Sequence, residues 1–455
     1  MKSNSEGEEN PYESPRAAMA EPAQPLVDAP DRPPSRGSLL VIFLTVFIDL
    51  LGFGMVLPLL PVYAKSFEFK EEGWIIGLLM ASFSAMTFIF APLWGRASDR
   101  IGRRPVLIVG LIGSVGFYFL FGIATIFKSM TLLFIARIGA GIAGATIPAA
   151  QAYIADVTSL KNRAKGMALI GAAFGLGFTF GPLLGAAALM FSGNVETSPW
   201  PGFFAATLSA IACVLAIFLL PESLRPGSHH AGHAIIDWRA WHDAWQTPSV
   251  PALLATAFAS VVSFATFETT LSLLLKDEEH LPFHFTFAQV LLYYAFIGFT
   301  LTIAQGFLVR RLAPKVGEVA LIFAGGITTM VGFGMLVWAS RAGELSLLMV
   351  ASAIEVTGFA LMTPSLQSLI SRRSDPAKQG GILGVSQSTS SLARVVGPLI
   401  AVPLFFESPA QALPYWAALG IMAIATAIFA LFARHGEDHA GAPTELSVPA
   451  EAMES

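Results

Sequence analysis

The sequence predicts an all-α polytopic membrane protein, with twelve transmembrane helices in two pseudo-symmetric six-helix bundles. Three observations carry that prediction. Only 13% of the 455 residues are charged while 54% are hydrophobic, whereas a soluble domain needs about a quarter charged residues to cover its surface. The apolar residues gather into runs of roughly 20 or more, the length a helix needs to cross a hydrocarbon core of about 30 Å. The chain also repeats itself: residues 147–185 align without a gap on 363–401, at an offset of 216.

In chain order the runs cover about 39–63, 74–95, 105–127, 130–155, 166–192, 201–221, 250–275, 285–309, 318–340, 345–370, 380–406 and 410–433; they are numbered spans 1 to 12. Residues 1–37 are polar, acidic and proline-rich, with no apolar stretch before Leu39. That composition reads as a disordered tail and not as a signal peptide, and residues 435–455 read the same way. Spans 1–6 form a bundle over 38–221 and spans 7–12 a second over 250–434. The longest connection, 222–249, lies between them. Within it Trp238, Trp241 and Trp245 recur at helical spacing after Asp237, a residue type that caps helix N-termini, so a short helix lying at the headgroups is expected. His229, His230 and His233 share that loop without a fixed fourth ligand, and no metal site is expected. The single cysteine, Cys213, lies inside span 6, which leaves no disulfide framework and reads as packing. A net charge of -4 gives no basic surface for nucleic acid.

Positive charge orients the chain, because short basic loops stay cytoplasmic. The tails and the connections after even-numbered spans hold twenty lysines and arginines, among them Arg96, Arg100, Arg103, Arg104, Lys161, Arg163, Lys165, Arg310, Arg311, Lys315, Arg372, Arg373 and Lys378. The opposite connections hold only Lys65, Lys70, Lys128, Lys276 and Arg341; the remaining two, Arg137 and Arg394, lie inside spans. Both termini are therefore expected in the cytoplasm, with the chain integral to the plasma (inner) membrane.

The turn after span 2 reads Gly95-Arg96-Ala97-Ser98-Asp99-Arg100-Ile101-Gly102-Arg103-Arg104. It resembles the G-x-x-x-D-R-x-G-R-R signature between spans 2 and 3 of the major facilitator superfamily. On that resemblance Gly95, Asp99, Arg100, Gly102, Arg103 and Arg104 are a conformational gate. Asp99 can take hydrogen bonds from arginines or a helix N-terminus, locking the cytoplasmic side until they rearrange. The repeat-equivalent stretch from Gly306 to Glu318 keeps positive charge at Arg310, Arg311 and Lys315 but lacks the aspartate, so the two halves are expected to differ. The repeat itself is carried by Pro148/Pro364, Gln151/Gln367, Ile154/Ile370, Leu176/Leu392 and Gly181-Pro182-Leu183 with Gly397-Pro398-Leu399.

Three more motifs extend the resemblance over about 39–433. Span 1 carries Asp49, Gly52, Gly54, Pro58 and Pro61, similar to the first helix of the twelve-span drug:proton antiporter branch, and its prolines should bend it. Span 4 carries Arg137-Ile138-Gly139-Ala140-Gly141, similar to an R-x-x-x-G motif, amid small residues that let a neighbour approach. Span 5 carries Gly177, Gly181, Pro182 and Gly185, similar to the G-x-x-x-G-P-x-x-G-G motif of exporters, with Ala186 in place of the last glycine. Its glycines would pack one face against a partner helix while Pro182 sets a bend.

Ionisable groups in hydrocarbon are costly and mark function. Five stand inside spans: Asp49, Arg137, Glu268, Glu355 and Arg394. Three acids cannot all pair one to one with two arginines, so at least one carboxyl is expected to be protonated or solvated by the cavity. Gln151, Tyr293, Tyr294, Gln305 and Gln367 are candidate polar contacts for a substrate. The resemblance, which includes Tyr153-Ile154-Ala155-Asp156-Val157-Thr158, is to tetracycline-efflux-like and multidrug carriers. It implies a secondary transporter that exports an amphipathic small molecule by rocking of two bundles, driven by the proton gradient and without a cofactor; nothing in the sequence demands more than a monomer. Tetracycline carriers have an acidic residue before a tyrosine in span 3; here the pair is Phe117-Tyr118, so a cation chelate loses a ligand. Facilitated or proton-linked uptake of a nutrient is the first alternative, and a non-transporting receptor or scaffold the second. No nucleophile–base pair, metal cluster or nucleotide loop points to an enzyme.

Overall fold

The computed structural model describes residues 36–67, 73–158, 160–191, 197–224, 238–276, 283–375, 378–407, 412–434, 436 and 438. The expectations for the tail before residue 36, for Asp237, for His229, His230 and His233, and for most of the tail after 434 lie outside them. Every regular element among the described residues is helical. Span 1 is Arg36–Val56 continued as Leu60–Ser66, span 2 Gly73–Ile101, span 3 Arg103–Ile126, and span 4 Met130–Gly144 continued as Ile147–Val157. Span 5 is Leu160–Leu189 and span 6 Trp200–Leu219; a short helix, Trp238–Gln246, precedes span 7 at Val250–Lys276. Span 8 is Phe287–Ile303 with a π-helical turn at Ala304–Val309, and span 9 lies within Arg310–Ala342. Spans 10 to 12 are Leu345–Arg373, Gln379–Glu407 and Leu413–Ile428.

Among the described residues eleven stretches are long and apolar enough to cross a bilayer, and one of them, Phe287–Ala342, has 56 residues. At 1.5 Å per residue it would be about 84 Å long, far more than one crossing needs. Gly317, at φ 75° and ψ 162°, breaks it into spans 8 and 9, and twelve crossings result. That backbone conformation is open to glycine and strained for other residues.

The prolines act unequally. Span 1 stops at Val56 and restarts at Leu60, with Pro61 in the first turn of the new helix, where a missing N–H costs least. Span 4 breaks in the same way before Pro148. Pro182 instead sits inside an unbroken helix, so the chain is interrupted beside the prolines of spans 1 and 4 but not in span 5.

Each half repeats one packing scheme. Span 1 packs on spans 5 and 6, and span 3 on spans 4 and 6; span 7 packs on spans 11 and 12, and span 9 on spans 10 and 12. The halves meet where span 5 lies along span 8 and span 2 along span 11. These contacts are backbone on backbone. A methyl built on Gly54 would stand 2.6 Å from the Gly177 carbonyl oxygen, and one on Gly181 2.8 Å from that of Leu51. One on Gly298 would stand 2.4 Å from the Phe178 carbonyl, and one on Gly77 2.8 Å from that of Pro398. Hydrocarbon gives helices no hydrophobic reason to associate, so such close approach supplies the packing energy. The glycines of the span 5 motif thus pack against span 1, as their spacing implied.

The tryptophan-bearing helix packs on span 11: Ala240 and Ala244 are buried, and Ala240 lies 3.0 Å from where a methyl on Gly381 would be. Lys378 Nζ donates to Asp243 Oδ1 at 2.8 Å, and that hydrogen bond holds the ammonium above its ordinary pKa. Trp241 is half-buried while Trp245 is exposed. Asp243 and Glu222 both belong to the connection after span 6. Glu222 binds the backbone of Arg103 as Asp243 binds Lys378, so the turns after spans 2 and 10 share one end of the molecule, the basic end.

Gly181→Val is expected to wedge spans 1 and 5 apart, costing roughly 1–3 kcal/mol as overpacking does. Gly171→Ala, where nothing lies within 4 Å, is expected to leave stability unchanged. Apparent Tm in detergent checks the pair.

Candidate functional site

A cavity of about 400 Å³ lies between the halves at the middle of the spans. Span 5 contributes Phe174, Phe178 and Pro182, span 7 Phe264, Phe267 and Glu268, span 8 Tyr294 and Gln305, span 10 Phe359 and Gln367, and span 11 Arg394. Phe264 and Phe359 stack with centroids 4.0 Å apart. The wall continues toward the basic end through Gly171, Val309 and Gln367. At the other end the halves are in contact. The Tyr63 ring of span 1 meets Phe287 of span 8 edge-on at 5.2 Å, and Lys65 lies over Phe406 of span 11. Midway, Thr179 and Thr302 share a hydrogen bond of 3.1 Å across the halves.

Of the five charges inside spans, two meet on the cavity wall, Glu268 and Arg394. Arg394 is exposed to it and Glu268 half-buried. Tyr294 donates its hydroxyl to the Glu268 backbone carbonyl, which fixes the start of the wall's polar patch. Asp49 is elsewhere, inside the first bundle, where its carboxylate accepts from the Ser209 hydroxyl at 3.1 Å with Ser114 beside it. Arg137 is buried between aromatic rings, its guanidinium 4.6 Å from the centroid of Phe83 and 5.9 Å from that of Phe53. Such stacking partly offsets the loss of water. Glu355 is fully enclosed, and neither of its carboxyl oxygens has a hydrogen-bond partner among the described residues. Span 9 closes on it through Gly332, where a methyl would stand 2.6 Å from the Glu355 nitrogen.

The polar candidates divide similarly. Tyr294, Gln305 and Gln367 line the cavity. Tyr293 does not; its hydroxyl is buried 3.0 Å from Ser352 of span 10, because successive helical residues point about 100° apart. Gln151 is exposed and outside the wall. Sequence reasoning expects apolar and aromatic groups around such a cavity but singles out none of the wall's phenylalanines. With 36 in the chain, a ring facing the cavity carries no mark that separates it from one facing lipid.

The basic turn is held by its own half. Gly102, at φ 106°, leaves no room for a side chain: a methyl would stand 2.4 Å from Glu222 Oε2. Glu222, just past span 6, accepts from the backbone N–H groups of Arg103 at 2.9 Å and Arg104 at 3.2 Å. The Arg103 guanidinium, almost fully buried, binds Asp99, Ser98 at 2.8 Å and Asp156 at 3.2 Å. Arg104 donates to the Ile217 carbonyl. Arg103 is therefore the arginine that ties the turn, while Arg100 is exposed, and Gly95 has its nearest neighbour 3.8 Å from a built methyl. Among the described residues, none of the turn's hydrogen bonds crosses to the other half.

The second half builds the same joint with its charges exchanged. Glu318 follows the positive-φ Gly317 as Arg103 follows Gly102. It takes two hydrogen bonds from Arg372, at 3.1 and 3.0 Å, and one from Ser368 at 3.0 Å. Arg372 occupies the repeat position of Asp156, 216 residues on, and it also binds Asp438, the repeat position of Glu222. An acid has replaced the base at the start of span 9, and a base the acid at the end of span 10.

The Major Facilitator Superfamily model matches residues 42–398. Tetracycline resistance protein, class C, of Escherichia coli is 30% identical over 379 residues, 82% of this chain and 91% of that protein. Major facilitator superfamily domain-containing protein 10 of Mus musculus is 30% identical over 429 residues, 84% of this chain and 90% of that one. Among solved structures, that of the human organic anion transporter MFSD10 (TETRAN) covers 87% of this chain and 100% of its own, with a TM-score of 0.65 and 26% identity. A D-xylose-proton symporter superposes with a TM-score of 0.69 at 17% identity over 88% of this chain and 99% of its own, a likeness of fold.

Reversing one member of the second joint, Arg372→Glu, faces it with Glu318 and Asp438, and apparent Tm is expected to fall by the equivalent of about 1 kcal/mol. The double reversal Glu318→Arg with Arg372→Glu restores an ion pair, and recovery of at least half of the loss is expected.

Proposed function

The chain belongs to the Major Facilitator Superfamily, and we propose that it exports amphipathic small molecules from the cytoplasm in exchange for protons. The observation that carries this reading is the mid-span cavity, aromatic on most sides, with one acid and one base on its wall and its far end closed. A cavity of that lining suits a ring-bearing molecule with few polar groups. The excess of lysine and arginine at the basic end supports a cytoplasmic location for that end and for both termini, in the plasma (inner) membrane. The chamber would then load from inside. The relatives named for tetracycline resistance and for organic anion transport support a small organic cargo, and the proposed carrier works as a single copy.

In this mechanism Glu268 holds a proton or a substrate group, but not both. Substrate arriving from the cytoplasm displaces the proton; the bundles rock about spans 2, 5, 8 and 11; and substrate leaves as an outside proton returns. Gating falls to the joints of the basic end, where Arg103 and Arg372 keep each half rigid while the halves separate. Asp49 and Glu355 lie behind the walls, each inside one bundle, and would tune how that bundle packs while Glu268 makes contact with the cargo.

An efflux-deficient host expressing the chain, grown across a compound panel, identifies a substrate. In proteoliposomes that compound is expected to release protons. Glu268→Gln is expected to lower the release at least tenfold, while Asp49→Asn, whose amide still accepts from Ser209, retains at least half. Accumulation of the compound inside right-side-out vesicles along an imposed proton gradient would overturn export in favour of uptake.

A further inference from the structure

We propose that the cavity is shaped for an aromatic zwitterion, held with its cationic group at Glu268 and its anionic group at Arg394. The inference rests on the carrier reading and adds the charge pattern of the cargo. Glu268 and Arg394 stand on spans 7 and 11, which are packed tightly enough that a methyl on Gly397 would lie 2.7 Å from the Ala265 side chain. Glu268 lies within electrostatic reach of Arg394. Yet no ion pair within 4.0 Å joins them, and among the described residues no side chain engages the Arg394 guanidinium, although it is exposed in the cavity. Two opposite charges facing one apolar chamber without neutralising each other are costly in low dielectric. A guest bearing the complementary pair satisfies both at once. A singly charged guest satisfies one and leaves the other facing its apolar body.

The remaining walls choose that body. Phe178 presents a ring from the first half, and the stacked Phe264 and Phe359 form an aromatic floor beside the charged pair. The first half adds no charge to the wall. The cargo's dipole is therefore read by the second half alone, while its rings are read by both.

A matched series tests the idea: 2-naphthylalanine, its methyl ester and its N-acetyl derivative share a ring system and present a zwitterion, a cation and an anion. Binding to the full-length protein in nanodiscs, followed by equilibrium dialysis, is expected to favour the zwitterion at least tenfold over both others. Arg394→Gln is expected to remove the advantage over the ester, and Arg394→Lys to restore part of it. Glu268→Gln is expected to remove the advantage over the N-acetyl compound. Equal binding of the ester or the N-acetyl compound, or no binding of any member, would overturn the proposal. Proton-linked flux of the ester without preference for the zwitterion would leave the carrier reading intact. Zwitterion preference without any flux would remove the carrier reading and leave this one.

Discussion

Along spans 5 and 8 and along spans 2 and 11 glycines let the two halves approach to backbone contact, and the cavity exists because of it. Pro182 has no N–H, so the Phe178 carbonyl one turn earlier is left without its helical donor. Gly298 of span 8 lies directly against that carbonyl, where its Cα–H can serve as a weak donor. A polar group freed in hydrocarbon needs such company. The same residue pair brings span 5 close to span 8, while Gly73 and Gly77 bring span 2 close to Phe406 and Pro398 of span 11. With these seams fixed, the space left among spans 1, 5, 7, 8, 10 and 11 is the chamber.

The internal repeat preserves shapes more than residues. In the first half the Phe117 ring of span 3 covers Gly139 of span 4; in the second, Glu355 of span 10 covers Gly332 of span 9. At the repeat offset of 216 Gly139 corresponds to Glu355, so a hole on span 4 of the first half has become a larger residue on span 10 of the second. The joints at the basic end follow the same rule with charge: Arg103 with Asp156, Glu318 with Arg372. Packing requires one large and one small partner, and an ion pair one of each sign; neither fixes which helix supplies which. This is why so few identities survive between halves whose helix pairings match.

That freedom also sets what the sequence makes legible. Span number, the repeat and the glycine face of span 5 follow from hydropathy, spacing and the size of side chains, all local properties. Which side of a helix faces the chamber does not. Tyr293 and Tyr294 are neighbours in sequence, yet one is buried on Ser352 and the other lines the cavity. Asp49 and Glu268 are both acids deep in apolar runs, but only Glu268 lies on the wall. Arg100 and Arg103 belong to one basic turn, and the buried ties go to Arg103 because Gly102 turns the chain between them. The exchange of charge at Glu318 and Arg372 keeps the geometry of the joint and not its residue types, so no motif marks it.

The placement of charge on one wall has a mechanical consequence for the proposed cycle. Both ionic contacts to a cargo would come from spans 7 and 11, within a single rigid bundle, while the facing wall offers Phe174, Phe178 and Pro182. Ionic contacts are costly to break in low dielectric. Aromatic surfaces slide with little change in energy, because dispersion is spread over many weak contacts. Rocking the first half against the second would then leave the cargo's charges in place and move only the surface that holds its rings. Were the charges split between the halves, each swing would have to break an ion pair before the other side could open.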